Sequence, residues 1–190
     1  MKKEEFYYDS FSNKNKIHAI KWVPEGTPLC IIQIVHGMAE HIGRYEEFAA
    51  FLTERNILVV GEDHLGHGLS MGENPPGYFC EKNPGKVLIE DVRTLKNIVR
   101  AEYPDIPCIL FGHSMGSFIV RLAAEKYVKP DRLIIMGTGG SNPLSPVGIA
   151  LAETVKFFKG PLVSSGDRAA PHSGQKLVWA LDVPPCSDSH

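Results

Sequence analysis

No apolar run in this 190-residue chain approaches the roughly 18 residues that a bilayer-spanning helix needs. An excess of either charge is missing too. Twenty Lys and Arg stand against twenty-two Asp and Glu, a formal charge of −2. That balance gives no broad electrostatic footprint for nucleic acid. Cysteine is scarce: Cys30, Cys80, Cys108 and Cys186 have neither CxxC nor Cys/His spacing, so no zinc site is expected. The start, Met1 to Tyr8, holds two lysines but no apolar stretch after them, so it does not read as a secretion signal. Reduced thiols and a cytoplasmic protein are the expectation. Ile, Phe, Tyr and Glu are all absent beyond residue 161, where five of the twelve serines lie. Residues 162–190 therefore read as an atypical tail, disordered or foreign to the domain at 1–161.

What is present is an alternation of short apolar runs with helix-period runs. Glu5–Ser10 and Ile17–Val23 read as strands whose short connection favours antiparallel pairing. Leu29–Val35 is nearly continuous apolar sequence, suited to a strand buried on both faces. Tyr45, Phe48, Ala49 and Leu52 recur at helical spacing, which predicts a helix over Tyr45–Arg55. Ile57–Gly61, Cys108–Phe111 and Leu133–Met136 read as further strands, with helices at Lys86–Glu102 and from Met115 to Lys126. The alternation implies an α/β fold, a mostly parallel sheet with helices on both faces and ligands at the carboxyl ends of the strands.

The chemical signal is Gly112-His113-Ser114-Met115-Gly116. GxSxG alone is weak: at roughly 7% usage per fixed residue, about one chain in fifteen of this length carries it by chance. Here a strand runs into the motif and an amphipathic helix runs out, which is what a nucleophile elbow requires. Gly112 and Gly116 would remove Cβ atoms that collide where strand and helix converge, leaving the Ser114 hydroxyl projecting from the turn as candidate nucleophile. An attacked ester develops an oxyanion, and the Met115 N–H beside the serine is one candidate donor. The second is expected in the loop His36-Gly37-Met38-Ala39-Glu40-His41, where Gly37 would let the backbone turn the Met38 N–H toward that charge. The imidazoles of His36 and His41 read better as hydrogen-bonded loop residues than as catalysts. Asp63, His64 and His67 lie in a glycine-rich loop that suits a tight turn beside the site better than a metal centre.

Three segments taken together resemble the monoacylglycerol lipase and lysophospholipase type of α/β-hydrolases. They are His36–His41 with Gly43-Arg44-Tyr45, Asp63–Ser70, and Gly112–Gly116. The resemblance covers about residues 7–161. It implies an α/β-hydrolase fold and serine-dependent cleavage of carboxylic esters, of monoacylglycerol or lysophospholipid type, without metal or organic cofactor. It also implies that residues 142–160 begin a mobile cap able to touch a membrane surface transiently. In such hydrolases the triad acid and histidine follow the serine in the chain. Here the later candidates are Asp131, Asp167, Asp182, Asp188, His172 and His190; Leu177–Leu181 ending at Asp182 can pass for a strand carrying the acid, but His190, eight residues on, has no strand or loop to aim it. The expectation is a truncated domain, without its last strands, most of its cap and both triad partners. Such a chain would be nearly inactive and would self-associate through the exposed edge at Leu133–Met136. A catalytically dead acyl-ligand-binding module and a related serine peptidase remain alternatives.

Overall fold

A computed structural model describes residues 1–73, 75–126 and 129–140. Among these residues six strands form one sheet: β1 (Lys2–Asp9), β2 (Lys16–Val23), β3 (Cys30–Val35), β4 (Ile57–Glu62), β5 (Cys108–His113) and β6 (Arg132–Met136). Three helices connect them, α1 (Glu46–Thr53), α2 (Pro84–Glu102) and α3 (Met115–Lys126). The sheet order is β1-β2-β4-β3-β5-β6. β1 pairs antiparallel with β2, and β2 antiparallel with β4, while β4, β3, β5 and β6 run parallel.

Strand order decides where the helices go. From β3 the chain moves one way to β4, then crosses back over β3 to reach β5. Right-handed crossovers in opposite directions put their helices on opposite faces. The two hydrophobic clusters follow the alternation of side chains along each strand. Ile32, Ile34, Val59, Trp22 and Phe111 pack with Ala49 and Leu52 of α1. Ile31, Val35, Leu58, Val60 and Leu110 pack with Leu88, Val92 and Leu95 of α2 and with Ile119 and Val120 of α3. Gln33 lies buried within the otherwise apolar β3, and its Nε2 donates to the Val92 carbonyl of α2 at 2.8 Å. That bond tethers β3 to α2 and offsets part of the cost of burying the amide, whose Oε1 has no partner among the described residues.

The elements expected from periodicity form, with shifted ends. The helix expected over Tyr45–Arg55 is a 3-10 turn at Ile42–Tyr45 followed by the shorter α1. The Ile42 side chain, fully buried, holds that turn against the core. β1 starts at Lys2 rather than Glu5, because its whole length pairs with β2 out to Val23. The expected cap start at 142–160 and the tail at 162–190 lie outside the described residues.

Candidate active site

The crossovers reverse direction between β3 and β5, and in open α/β sheets ligands bind in the crevice at the carboxyl ends of such strands. β3 and β5 are hydrogen-bonded neighbours, with Val35 opposite Gly112, so the segments after them meet there. One carries His36 to Glu40, and the other carries Ser114.

Ser114 joins β5 directly to α3 and adopts φ +52°, a left-handed conformation that costs a side-chain-bearing residue about 1 kcal/mol or more. Its amide donates to the Met136 carbonyl at 2.9 Å, and its carbonyl accepts from the Ser117 amide at 3.0 Å and hydroxyl at 2.5 Å. These bonds hold the bend from both sides. The flanking glycines have the expected steric role. A Cβ on Gly112 would stand 2.5 Å from the Gly116 carbonyl, and one on Gly116 would stand 2.7 Å from the His36 carbonyl. The bend half-buries Ser114 at the crevice while Met115 is buried at the start of α3. Among the described residues neither the Met115 N–H nor the Met38 N–H donates to a protein acceptor.

Gly37 differs from expectation in its reason. It does not take a left-handed conformation; Ala39 does, at φ +60°. Gly37 is needed for close approach, because a Cβ there would lie 2.6 Å from Glu40 Oε1 and 3.2 Å from the Ser114 Cβ. The loop is therefore pressed against the elbow.

Glu40 ties the two together. Its Oε1 accepts from the Gly37 N–H, from His113 Nδ1 at 3.0 Å and from the Tyr45 hydroxyl at 3.1 Å. Burial opposes the carboxylate charge, yet the hydrogen bonds from His113, Gly37 and Tyr45 hold the group below its ordinary range. The Tyr45 phenol is pushed up by burial and by the Glu40 charge. In the sequence Glu40 is one residue of a motif with nothing to mark its reach, since His113 lies 73 positions away.

His36 and His64 are both buried and are hydrogen-bonded to each other's segments, as loop histidines rather than exposed catalysts. Asp63 accepts from the amides of Ile42 at 2.7 Å and Leu69 at 2.9 Å, and binds His18 Nδ1 at 2.9 Å. Those bonds account for the tight turn, in which Gly66 and Gly68 take φ +73° and +47°. No group of three or more His, Cys, Asp or Glu among the described residues could hold a metal ion. Asp131 is excluded from the crevice by position. It precedes β6 at the opposite end of the sheet, accepting from the Cys108 amide at 2.7 Å and facing Arg100 at 3.3 Å. The other expected acids and histidines, Asp167, Asp182, Asp188, His172 and His190, lie outside the described residues.

A β4-β3-β5 switch point, with a serine forced left-handed where the strand beside it becomes a helix, places the molecule among the α/β-hydrolases. The family described as serine aminopeptidase, S33, matches residues 26–169, and the chain belongs to that family. Over 138 residues it is 42% identical to the monoglyceride lipase of Rattus norvegicus, covering 73% of this chain and 42% of that protein. It is 31% identical over 168 residues to the monoacylglycerol lipase of Mycolicibacterium smegmatis, covering 86% and 58%. Among solved structures, a thermostable carboxyl esterase from Bacillus coagulans in complex with glycerol superposes with a TM-score of 0.72 at 32% identity. That superposition covers 83% of this chain and 51% of the esterase. The chain spans about half the length of these relatives. No helix among the described residues is long and apolar enough to cross a membrane.

Proposed function

We propose that this chain carries the nucleophile and oxyanion half of a serine ester hydrolase acting on mono-acyl lipids of the monoacylglycerol or lysophospholipid type. One observation supports the reading. Ser114 is held left-handed on the strand-to-helix bend next to Met115 and in close approach to Gly37, and neither the Met115 nor the Met38 N–H donates to a protein acceptor among the described residues. Ser114 Oγ attacks the ester carbonyl, and the oxyanion is held by the two amides. Collapse releases the alcohol and leaves an acyl-enzyme that water hydrolyses. Loss of one such donor costs about 10²–10³ in rate where it has been measured. The mono-acyl substrate class rests on the two monoglyceride and monoacylglycerol lipases to which the chain is similar.

Attack requires a base to take the hydroxyl proton. Asp131 is at the wrong end of the sheet, and the acid and histidine are proposed to come from beyond the described residues. A chain in which no such pair reaches Ser114 keeps only the contribution of binding and the oxyanion donors, about 10³–10⁴ over water in a serine protease stripped of its triad. Membrane-surface contact through a cap at 142–160 belongs to the same proposal, as does association through the exposed edge of β6.

The test is reaction with a fluorophosphonate probe and turnover of a short-chain p-nitrophenyl ester, each compared with Ser114→Ala. Labelling or turnover lost in Ser114→Ala supports the reading. Lipid binding without labelling, unchanged in Ser114→Ala, replaces it with an acyl-binding module. Cleavage of aminoacyl amides in preference to esters replaces it with a peptidase.

A further inference from the structure

The Met38 N–H and the Gly37 carbonyl belong to one peptide unit. That unit is planar and trans, so the two groups point in opposite directions and whatever grips the carbonyl aims the amide. His36 grips it: its ring Nδ1 lies 2.7 Å from the Gly37 oxygen. A carbonyl can only accept, so Nδ1 must carry the proton. The other ring nitrogen, Nε2, accepts the backbone N–H of His64 at 3.0 Å. Nε2 therefore keeps its lone pair, and His36 is neutral with its single proton on the side of Gly37.

His64 completes the ring of contacts. Its Nε2 lies 3.2 Å from the His36 carbonyl and must donate, which leaves its own Nδ1 bare. Among the described residues that atom has no hydrogen-bond partner, and Glu62 Oε1 lies 3.7 Å from it, also without one. The two rings lie with centroids 4.0 Å apart, tilted by 38°, and both side chains are fully buried. Burial first, then the neighbouring histidines, keep both rings neutral: His36 is held well below its ordinary range and His64 is pushed down to about 3. The groups around them are Glu62, Asp63, Glu40 and His67, and none donates to the bare Nδ1 of His64.

Resting on the serine-hydrolase reading, we propose that His36 is a positioning residue for the oxyanion hole: as the neutral Nδ1–H tautomer, locked by His64, it clamps the Gly37 carbonyl and so aims the Met38 amide at the charge developing on the substrate. It touches no reacting atom. The hydrogen bonds fix the tautomer whatever the role; what a merely structural histidine would not do is slow the chemical step separately from binding.

The experiment uses the full 190-residue chain. Ring ¹⁵N spectra of the unmodified protein at neutral pH are expected to show protonated Nδ1 on His36 and protonated Nε2 on His64. Fluorophosphonate labelling is then compared for His36→Leu, which lacks the donor, and His36→Asn, whose side-chain amide can reach the same carbonyl. The maximal labelling rate should fall about 100-fold in His36→Leu, as when an oxyanion donor is lost, and recover largely in His36→Asn, with initial probe affinity unchanged in both. Wild-type labelling by His36→Leu, equal loss in both variants, or a proton on His36 Nε2 would each overturn the proposal. If the unmodified chain is not labelled at all, no base activates Ser114 in this chain, an outcome that bears on the serine reading and leaves the clamp untouched. The ring spectra then decide whether the clamp exists, and they do so also if His36→Leu does not fold.

Discussion

A Cβ on Gly116 would run into the carbonyl oxygen of Val35, two strands' ends having been brought against the first turn of α3 with nothing between them. The obstacle is backbone on both sides, so it cannot rotate away. Gly116→Ala is therefore expected to destabilise the chain by about 3 kcal/mol, at the upper end of overpacking costs. Gly140→Ala, which meets nothing within 4 Å, should change stability little. Urea midpoints of the two variants check this, and equal midpoints would contradict it.

Ser114 offers a second contrast. Alanine at 114 keeps the left-handed penalty that φ +52° imposes, and glycine removes it. Ser114→Gly should be more stable than Ser114→Ala by about 1 kcal/mol, while both abolish fluorophosphonate labelling. Thermal unfolding of the pair gives the comparison. Equal stabilities would mean the bend is not strained.

Buried acids make stability depend on pH. Glu62 is fully buried, bonded to the Tyr8 hydroxyl, and burial pushes its pKa from 4.5 up to about 8. Asp91, which accepts from Ser10 and Phe11, is raised from 3.8 to about 7 by burial and by Glu62. A raised folded-state pKa means that the folded chain holds a proton the unfolded chain has lost. The stabilisation is complete below about 4.5 and declines as pH rises toward about 8 for Glu62. Glu62→Gln cannot ionise, so it should flatten that decline and be more stable than the parent at alkaline pH. Urea unfolding across the range would show the change in slope, and parallel profiles would rule it out.

The edge of β6 carries Leu133, Ile134, Ile135 and Met136, exposed by 37, 40, 41 and 46%. An apolar edge strand is a template for pairing with another chain. Sedimentation is expected to show concentration-dependent association that Ile134→Lys suppresses. A monomer at all concentrations in the unmodified chain would remove this expectation.

Short-range features were readable in the chain. The continuous apolar runs of β3 and β4, the helical stripes of α2 and α3, and the paired glycines around Ser114 follow from neighbours a few residues apart. Ends of elements were less readable. β1 extends to Lys2 because β2 offers a partner there, and the first helix is split because Ile42 must reach the core. Gly37 shows how a correct residue can carry a different reason. Its role is set by Glu40 and by Ser114, 77 positions later in the chain, rather than by a local turn.

By itself, then, the amino-acid order determined the parallel α/β layering and the single serine offered on a bend, because both depend on periodicity and on sterics within a few residues. Tertiary structure decided which buried groups meet: Glu40 with His113, His36 with His64, Glu62 with Tyr8. The first two encounters follow from β3 lying between β4 and β5 and the third from β2 lying between β1 and β4, an order set by crossovers and packing of whole elements that no local pattern encodes.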